Sequence, residues 1–185
     1  MTKTLLFALG HYGPNKDEFT TITIERFFKM KELSQIYTDA DVVSSGGPCD
    51  GNYELGYSWC NEIDYLINRI GIAEERIIGG FVIYNTAEQI FLVHKIAQYL
   101  NYDHVIIITS DYHVARAQEL IQNIWTSECA VKVEASSTVF ANNDLEQHAK
   151  EHECVSLENM RSQGFYLNER LNRIKDFPLD KILKN

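Results

Sequence analysis

Five short segments, dominated by apolar and often β-branched residues, recur along the chain and restrict its fold more than any other feature. They are Thr4–Leu9, Asp41–Ser44, Arg76–Val82, His104–Thr109 and Val131–Ala135. Several are apolar throughout, without the alternation typical of strands that expose one face. The pattern therefore predicts strands buried on both faces of a parallel sheet.

Helical patterns separate these segments. The first is predicted to have an apolar side, formed by Ile24, Phe27, Phe28, Lys31 and Leu33 with Ile36 and Tyr37. The second is predicted to end at Gly71, which suits a C-cap. Alternating strands and helices imply right-handed crossovers between parallel strands. We therefore expect an α/β fold: a three-layer Rossmann-like sandwich, with a mostly parallel sheet of about five strands and helices on both faces.

Residues 1–185 are expected to form a single α/β domain, because the length suits one domain and 45% of the residues are hydrophobic. Residues 141–185 are predicted to be a helical C-terminal extension. Within it, Ala141–Glu153 is interpreted as a loop or an exposed helix start and Val155–Ile174 as a terminal helix. The residues after Pro178 are expected to dock loosely.

The charge balance disfavours two classes of partner. With 17 basic against 26 acidic side chains, the formal net charge of −9 offers no broad attraction to nucleic acid or to an anionic membrane. No apolar run approaches the ~20 residues that span a bilayer, and Met1–Gly10 is interpreted as the first strand rather than a signal peptide. The four cysteines lack paired short spacing and fit reduced thiols, so we expect a cytoplasmic protein without membrane insertion.

The segment Thr109–Ala117 carries the densest set of candidate functional groups. It follows the apolar run Val105–Ile108 and opens a helical pattern, so a buried strand delivers a hydroxyl, a carboxylate, an imidazole and a guanidinium to one turn. In an open parallel sheet, ligands bind at this edge. Such a concentration of polar groups favours a site over a purely structural turn.

Each polar residue of this turn has a predicted role. Ser110 or Asp111 is expected to cap the helix and leave backbone donors for an anion. Arg116, which shares a helix face with His113, is expected to bind a phosphate or carboxylate through two nitrogens. His113 and Asp111 are the catalytic candidates, with His113 as acid or base and Asp111 setting its tautomer. The alternative is an Asp111–Arg116 ion pair that only locks the turn.

Two glycine-bearing turns follow the first and second strands. Gly10 ends the first, and Ser45, Gly46 and Gly47 form the second, where backbone N–H groups could bind an anion. The lysine and hydroxyl of a Walker loop are missing, and plain tight turns explain the glycines equally well. His11 is another ligand-binding candidate at the same predicted edge.

A third turn precedes the third helix. Asn85 and Glu88 have the spacing of a helix cap and its third residue, which by itself indicates a structural cap. Asn85 and Thr86 are also candidates for ligand contacts, with Glu88 supporting the turn.

The remaining histidines predict no metal site. His94 falls on an apolar helix side and is interpreted as a core residue. His148 and His152 are four residues apart on a polar segment, but the glutamate of the zincin pattern is missing, so a solvated face is the preferred interpretation.

The ordered set of motifs resembles the bacterial SanA, YdcF and ElyC family, a YdcF-like domain of unknown function. The resemblance covers about residues 5–117 and rests on Leu9-Gly10, Arg26 in the first helix, Ser45-Gly46-Gly47, Asn85-Thr86-Ala87-Glu88 and Thr109–Ala117. It implies a supporting role for Arg26. Glu54 and Glu62 both remain candidates for the family's acidic position, and His11 departs from the small residue that is usual there.

The resemblance also implies a nucleotide-like or phosphorylated ligand, bound at the carboxyl edge of the sheet. S-adenosylmethionine or a related nucleotide is the cofactor that it suggests, and a divalent metal remains compatible. Two functions stay open: hydrolysis of a phosphate or pyrophosphate ester, and a noncatalytic metabolite sensor or interaction module. The expected partner is a small anionic molecule, and the sequence identifies no protein partner.

Overall fold

The computed structural model describes residues 2–10, 19–46, 59–83, 85–164, 171, 178–181 and 183. Five parallel strands form one sheet in the order β3-β2-β1-β4-β5. Their bounds are Thr4–Ala8 for β1, Asp41–Gly46 for β2, Ile77–Val82 for β3, His104–Ser110 for β4 and Ala130–Ser136 for β5. The α/β class and the five predicted strands are confirmed.

Within the described ranges, five α-helices connect and flank the strands: α1 Thr21–Ile36, α2 Trp59–Tyr65, α3 Thr86–Tyr99, α4 Val114–Ile124 and α5 Asn143–Ser162. The helix α2 continues into a π-helical turn that ends at Gly71, whose φ of 78° is left-handed, as the predicted C-cap requires. Short 3₁₀ turns cover Glu74–Arg76, Asp111–His113 and Leu179–Lys181.

The central strand β1 contributes to two separate cores. Leu5 and Phe7 pack with residues of α3 and α4, whereas Leu6 and Ala8 pack with residues of α1 and the π-helical turn. Successive side chains of a strand point to opposite faces of its sheet. Helices therefore cover both faces, which gives the three-layer Rossmann-like arrangement.

The buried face of α1 differs from the predicted one. Phe28 and Ile36 are 60% and 64% exposed, while Arg26 and Met30 are buried beside Phe27. The prediction was wrong for Phe28 and Ile36 because it followed the apolar residues alone. Arg26 occupies the sheet-facing position instead, since backbone carbonyls and a hydroxyl at the strand ends accept its hydrogen bonds.

The helix of the C-terminal region begins earlier than the predicted Val155. The helix α5 begins at Asn143, and Oδ1 of Asn142 caps it by accepting a hydrogen bond from the Leu145 amide at 2.9 Å. Of the two interpretations of Ala141–Glu153, the helix start is therefore confirmed from Asn143 onward. The helix α5 ends at Ser162, and most of the predicted helix beyond Gly164 lies outside the described residues. Beyond it, Leu179 is buried and Leu183 forms an antiparallel bridge with Gly79, so these residues pack against the domain rather than loosely.

None of the described helices combines the length and the apolar character that crossing a membrane requires. The three cysteines in the described ranges, Cys60, Cys129 and Cys154, are free thiols.

Candidate functional site

A cleft of about 370 Å³ opens where β1 and β4 end. These strands are neighbours in the sheet, and the strand order reverses between them, because β2 and β3 lie to one side of β1 and β4 and β5 to the other. Ligands of open α/β sheets bind at such a reversal. Gly10 lies in the lining after β1, and His113 and Arg116 lie in it after β4.

Arg26 joins the ends of these two strands. It is 1% exposed, and its Nε donates to Oγ of Ser110 at 3.0 Å. Its Nη1 donates to the carbonyls of Leu9 at 2.6 Å and Gly10 at 3.2 Å. Ser110 precedes the following turn but makes no side-chain cap, because its hydroxyl contacts Arg26 instead. The predicted supporting residue therefore lies in the lining of the cleft.

The imidazole of His113 is oriented by Thr109 rather than by Asp111. Oγ1 of Thr109 lies 2.6 Å from Nδ1 of His113, and both residues are buried. Asp111 is exposed, and its Oδ1 accepts a hydrogen bond from the Tyr112 amide at 2.8 Å. The expected role of Asp111 in setting the tautomer is therefore not supported, because the strand position before the turn reaches Nδ1.

Glu153, on α5, is the main functional candidate that the sequence interpretation missed. Nη2 of Arg116 donates to Oε1 of Glu153 at 2.9 Å, and Nε of Arg116 lies 2.7 Å from Oε2 without the alignment of a hydrogen bond. Nε2 of His113 lies 3.9 Å from the same Oε2. The predicted alternative of an Asp111–Arg116 pair is thus replaced by an Arg116–Glu153 pair that spans two helices.

The environment of Glu153 is poorly suited to a charge. Burial raises the pKa of its carboxyl above the ordinary value, although the positive charges of Arg116, His152 and Arg26 act in the opposite direction. The same burial raises the pKa of the neighbouring Tyr112. The sequence held one signal that could have pointed to Glu153. Leu145, Ala149 and Glu153 are spaced by four residues, so they share one face of a helix, and all three line the cleft.

The predicted Ser45–Gly46 turn does not belong to the described lining of the cleft. Oγ of the buried Ser45 accepts a hydrogen bond from Nε2 of Gln89 at 3.0 Å, and its amide lies 3.4 Å from Oε1 of the buried Glu62. The carbonyl of Gly46 accepts a hydrogen bond from the Ile83 amide at 3.2 Å. Ser45 and Gly46 both belong to the end of β2 rather than to a turn, and these contacts support a structural role for them in the sheet.

Some residues of the predicted site lie outside the described residues. They are His11 and Gly47, together with Glu54, one of the two candidates for the acidic position. The other candidate, Glu62, contacts the predicted serine–glycine turn.

The turn before α3 combines a cap with one cleft residue. Oδ1 of Asn85 accepts a hydrogen bond from the Glu88 amide at 3.0 Å, which confirms the predicted cap. Thr86 lines the cleft, whereas Asn85 is not in the described lining. Glu88 is buried at the first turn of the helix.

Two exposed histidines border the cleft from α5. His148 and His152 lie one helical turn apart and belong to its lining, so the solvated face predicted for them also faces the site. In the part of the chain that the structure describes, no three His, Cys, Asp or Glu residues are grouped so that they could hold a metal ion. His94 is a core residue, as predicted: Nε2 lies 3.2 Å from Oγ1 of Thr126, and the ring packs against Trp125.

Neither a family model nor a curated protein matches this chain. The chemistry of the cleft is therefore the basis for a functional hypothesis.

Proposed function

We propose that the cleft binds an anionic small molecule, phosphorylated or nucleotide-like, at the ends of β1 and β4. One observation carries the proposal: two guanidinium groups and three imidazoles converge with a single carboxylate in the described lining of the cleft. The two guanidinium groups outnumber the carboxylate in this lining, although the formal net charge of the chain is −9. A local positive lining in an acidic protein favours an anionic ligand.

Arg116 is the principal anion-binding residue in this proposal. A guanidinium presents parallel N–H groups that match two oxygens of a phosphate or carboxylate. Its side chain is 19% exposed, and it already holds a carboxylate in the cleft. Thr86, at the start of α3, adds a hydroxyl to the same lining. The resemblance noted above extends the proposal to S-adenosylmethionine or a related nucleotide.

His113 supplies a hydrogen-bond donor in the same cleft. The only hydrogen bond of the buried Thr109 hydroxyl within the described ranges is the one to Nδ1 of His113. Donation from this hydroxyl to Nδ1 satisfies both atoms, whereas the opposite direction leaves a buried O–H without an acceptor. The neutral imidazole then carries its proton on Nε2, the nitrogen nearer Glu153.

Hydrolysis of a phosphate or pyrophosphate ester follows from this arrangement as the first candidate reaction. Water attacks phosphorus and the bond from phosphorus to the leaving oxygen breaks. The proton that the water loses passes through solvent to the leaving oxygen, while Nε2–H of His113 donates a hydrogen bond to the reacting group. Arg116 stabilises the negative charge on the other oxygens.

A noncatalytic metabolite sensor is the second candidate, and one contact favours it. Nδ1 of His113 meets the hydroxyl of Thr109 rather than the predicted carboxylate of Asp111. A neutral hydroxyl stabilises an imidazolium less than a carboxylate does, which disfavours proton transfer through this ring.

Calorimetric titration with inorganic phosphate, pyrophosphate and adenosine monophosphate tests the binding proposal. We expect Arg116→Ala to weaken binding of the tightest of the three at least tenfold, or about 1.4 kcal/mol, without unfolding the protein. Arg161→Ala is the matched control, because Arg161 is an exposed arginine paired with Glu119 outside the cleft. An unchanged affinity in Arg116→Ala would remove Arg116 from the site.

Turnover separates the two candidate functions. The purified protein is incubated with a panel of nucleotides and sugar phosphates, and products are identified by mass spectrometry. Hydrolysis that is lost in His113→Ala and kept in His104→Ala, a variant of an exposed histidine at the opposite end of β4, supports the hydrolase. Binding without product supports the sensor.

A further inference from the structure

The carboxylate of Glu153 occupies the position on Arg116 where an anionic ligand would bind. Arg116 and Glu153 are 19% and 12% exposed, so the pair lies largely inside the cleft wall rather than on the surface. Both residues belong to the cleft lining, one from α4 and the other from α5. A ligand that uses both nitrogens of the Arg116 fork therefore meets a carboxylate that is already bound there.

One oxygen of the Glu153 carboxylate lies close to two donors without accepting a hydrogen bond from either. Oε2 lies 2.7 Å from Nε of Arg116 and 3.9 Å from Nε2 of His113, yet this buried atom accepts no hydrogen bond within the described part of the chain. A planar carboxylate places its two oxygens in one plane. A tetrahedral phosphate has oxygens in more directions and can accept from the arginine and the imidazole together.

Burial also disfavours the charge of Glu153. Its pKa is raised, with desolvation as the largest cause, even though Arg116 lies in contact. Removal of a carboxylate from this position therefore relieves an unfavourable desolvation. Arg26 from α1, His113 and Tyr112 from the turn after β4, and His152 from α5 itself are the other titratable groups near it.

We infer that Glu153 is an internal competitor for the ligand: its carboxylate holds the anion position on Arg116, and an incoming phosphate group binds by displacing it. The inference rests on the proposed function, because it assumes that the ligand binds to Arg116. Glu153 then raises the ligand concentration that is needed to fill the cleft, and it favours ligands whose anionic group binds Arg116 more tightly than a carboxylate does.

The test is the affinity for inorganic phosphate at pH 8, measured by calorimetry on the full chain. At this pH inorganic phosphate is mainly a dianion. We expect Glu153→Gln to raise the affinity about tenfold, a change of about 1.4 kcal/mol in binding free energy. Glu153→Asp keeps the charge but shortens the side chain, so it should raise the affinity at least severalfold through loss of contact with Arg116.

The matched control is Glu119→Gln. Glu119 on α4 pairs with Arg161 on α5 at 2.6 Å, so this variant removes the same charge and another link between the same helices, outside the cleft lining. It should bind phosphate as the unmodified protein does. Circular dichroism and thermal unfolding confirm that each variant is folded.

The outcomes distinguish the inference from the proposed function. If Glu153→Gln binds phosphate no better than the unmodified protein, while Arg116→Ala binds it more weakly, the competitor role is wrong and the binding site stands. If only Glu153→Gln gains affinity and Glu153→Asp does not, the effect is general repulsion and the inference again fails. If neither the unmodified protein nor any Glu153 variant binds phosphate, the inference fails together with the proposed phosphate site.

Hydrogen exchange on the unmodified protein gives a second measurement that needs no variant. Displacement of Glu153 removes one link between α4 and α5. Saturating phosphate should therefore speed exchange of the α5 amides around Glu153 and slow exchange in the turn Asp111–His113. Slower exchange in both segments would contradict displacement.

Discussion

Oγ1 of Thr109 and Nδ1 of His113 lie 2.6 Å apart in the interior of the protein. Thr109 belongs to β4, and His113 ends the 3₁₀ turn that follows this strand. A second hydrogen bond, from Oγ of Ser136 to the carbonyl of Thr109 at 3.3 Å, fixes the same position from β5. The sheet itself therefore determines which nitrogen of the imidazole faces the cleft.

Removal of the Thr109 hydroxyl tests whether this residue orients the imidazole of His113. We expect Thr109→Val to lower the free energy of unfolding by about 1–3 kcal/mol, because Nδ1 of the buried ring loses its partner. Urea denaturation measures the change, with Thr109→Ser as the control that keeps the hydroxyl. In the unmodified protein, ¹H–¹⁵N spectra at a pH where the ring is neutral should show the proton on Nε2. A proton on Nδ1 would contradict the assigned direction of this hydrogen bond.

Arg26 should contribute strongly to stability as well as to the site. Three of its hydrogen bonds tie Leu9 and Gly10 to Ser110 in the interior. We expect Arg26→Ala to lower the free energy of unfolding by about 3 kcal/mol, because hydrogen bonds from a charged group are lost and buried acceptors remain unpaired.

The matched control for Arg26 lies on the same helix. Lys29 forms an i,i+3 ion pair with Glu32, which is 58% exposed. Lys29→Ala should change the free energy of unfolding by less than about 0.5 kcal/mol, since such surface pairs contribute little. Equal effects of the two variants would argue against Arg26 as a link between strands.

The buried His94 predicts an acid-sensitive fold. Burial, with a smaller contribution from Lys95, lowers the pKa of His94 below its ordinary 6.5. As the pH falls, the unfolded chain binds a proton at this residue before the folded chain does. The contribution of His94 to the free energy of unfolding is therefore fully present above about pH 6.5 and is lost as the pH falls below it.

Urea denaturation between pH 7.5 and pH 5 measures this dependence. His94→Gln should flatten the decline in unfolding free energy toward low pH, whereas His104→Gln, which changes an exposed histidine, should leave the slope unchanged. A slope that His94→Gln does not alter would assign the acid sensitivity to other groups.

The strands could be predicted because their signal is local. Each strand has an apolar, β-branched run long enough to be buried, and the observed bounds differ from the predicted ones by two residues or fewer. The cap at Asn85 and the left-handed Gly71 follow from equally local rules. Of the predicted site, Gly10, Thr86, His113 and Arg116 do meet at one cleft, together with the supporting Arg26.

The partners of these residues could not be predicted, because they lie far away in the sequence. Arg116 contacts Glu153 at a separation of 37 residues, and Arg26 contacts Ser110 at a separation of 84. Asp111 is adjacent to the site in sequence, but the turn directs its carboxylate to the Tyr112 amide. Local spacing shows which residues share a turn and leaves open which distant helix packs over it.

The position of β1 between β2 and β4 also affects how this chain emerges from the ribosome. In the nascent chain β2 becomes available to pair with β1 early, whereas the other edge of β1 has no partner until β4 has been synthesised. Until then an apolar strand keeps one row of backbone groups open to pairing with other chains. Chaperone capture should therefore be greatest for translation intermediates that end shortly before His104, and it should decline once β4 is released.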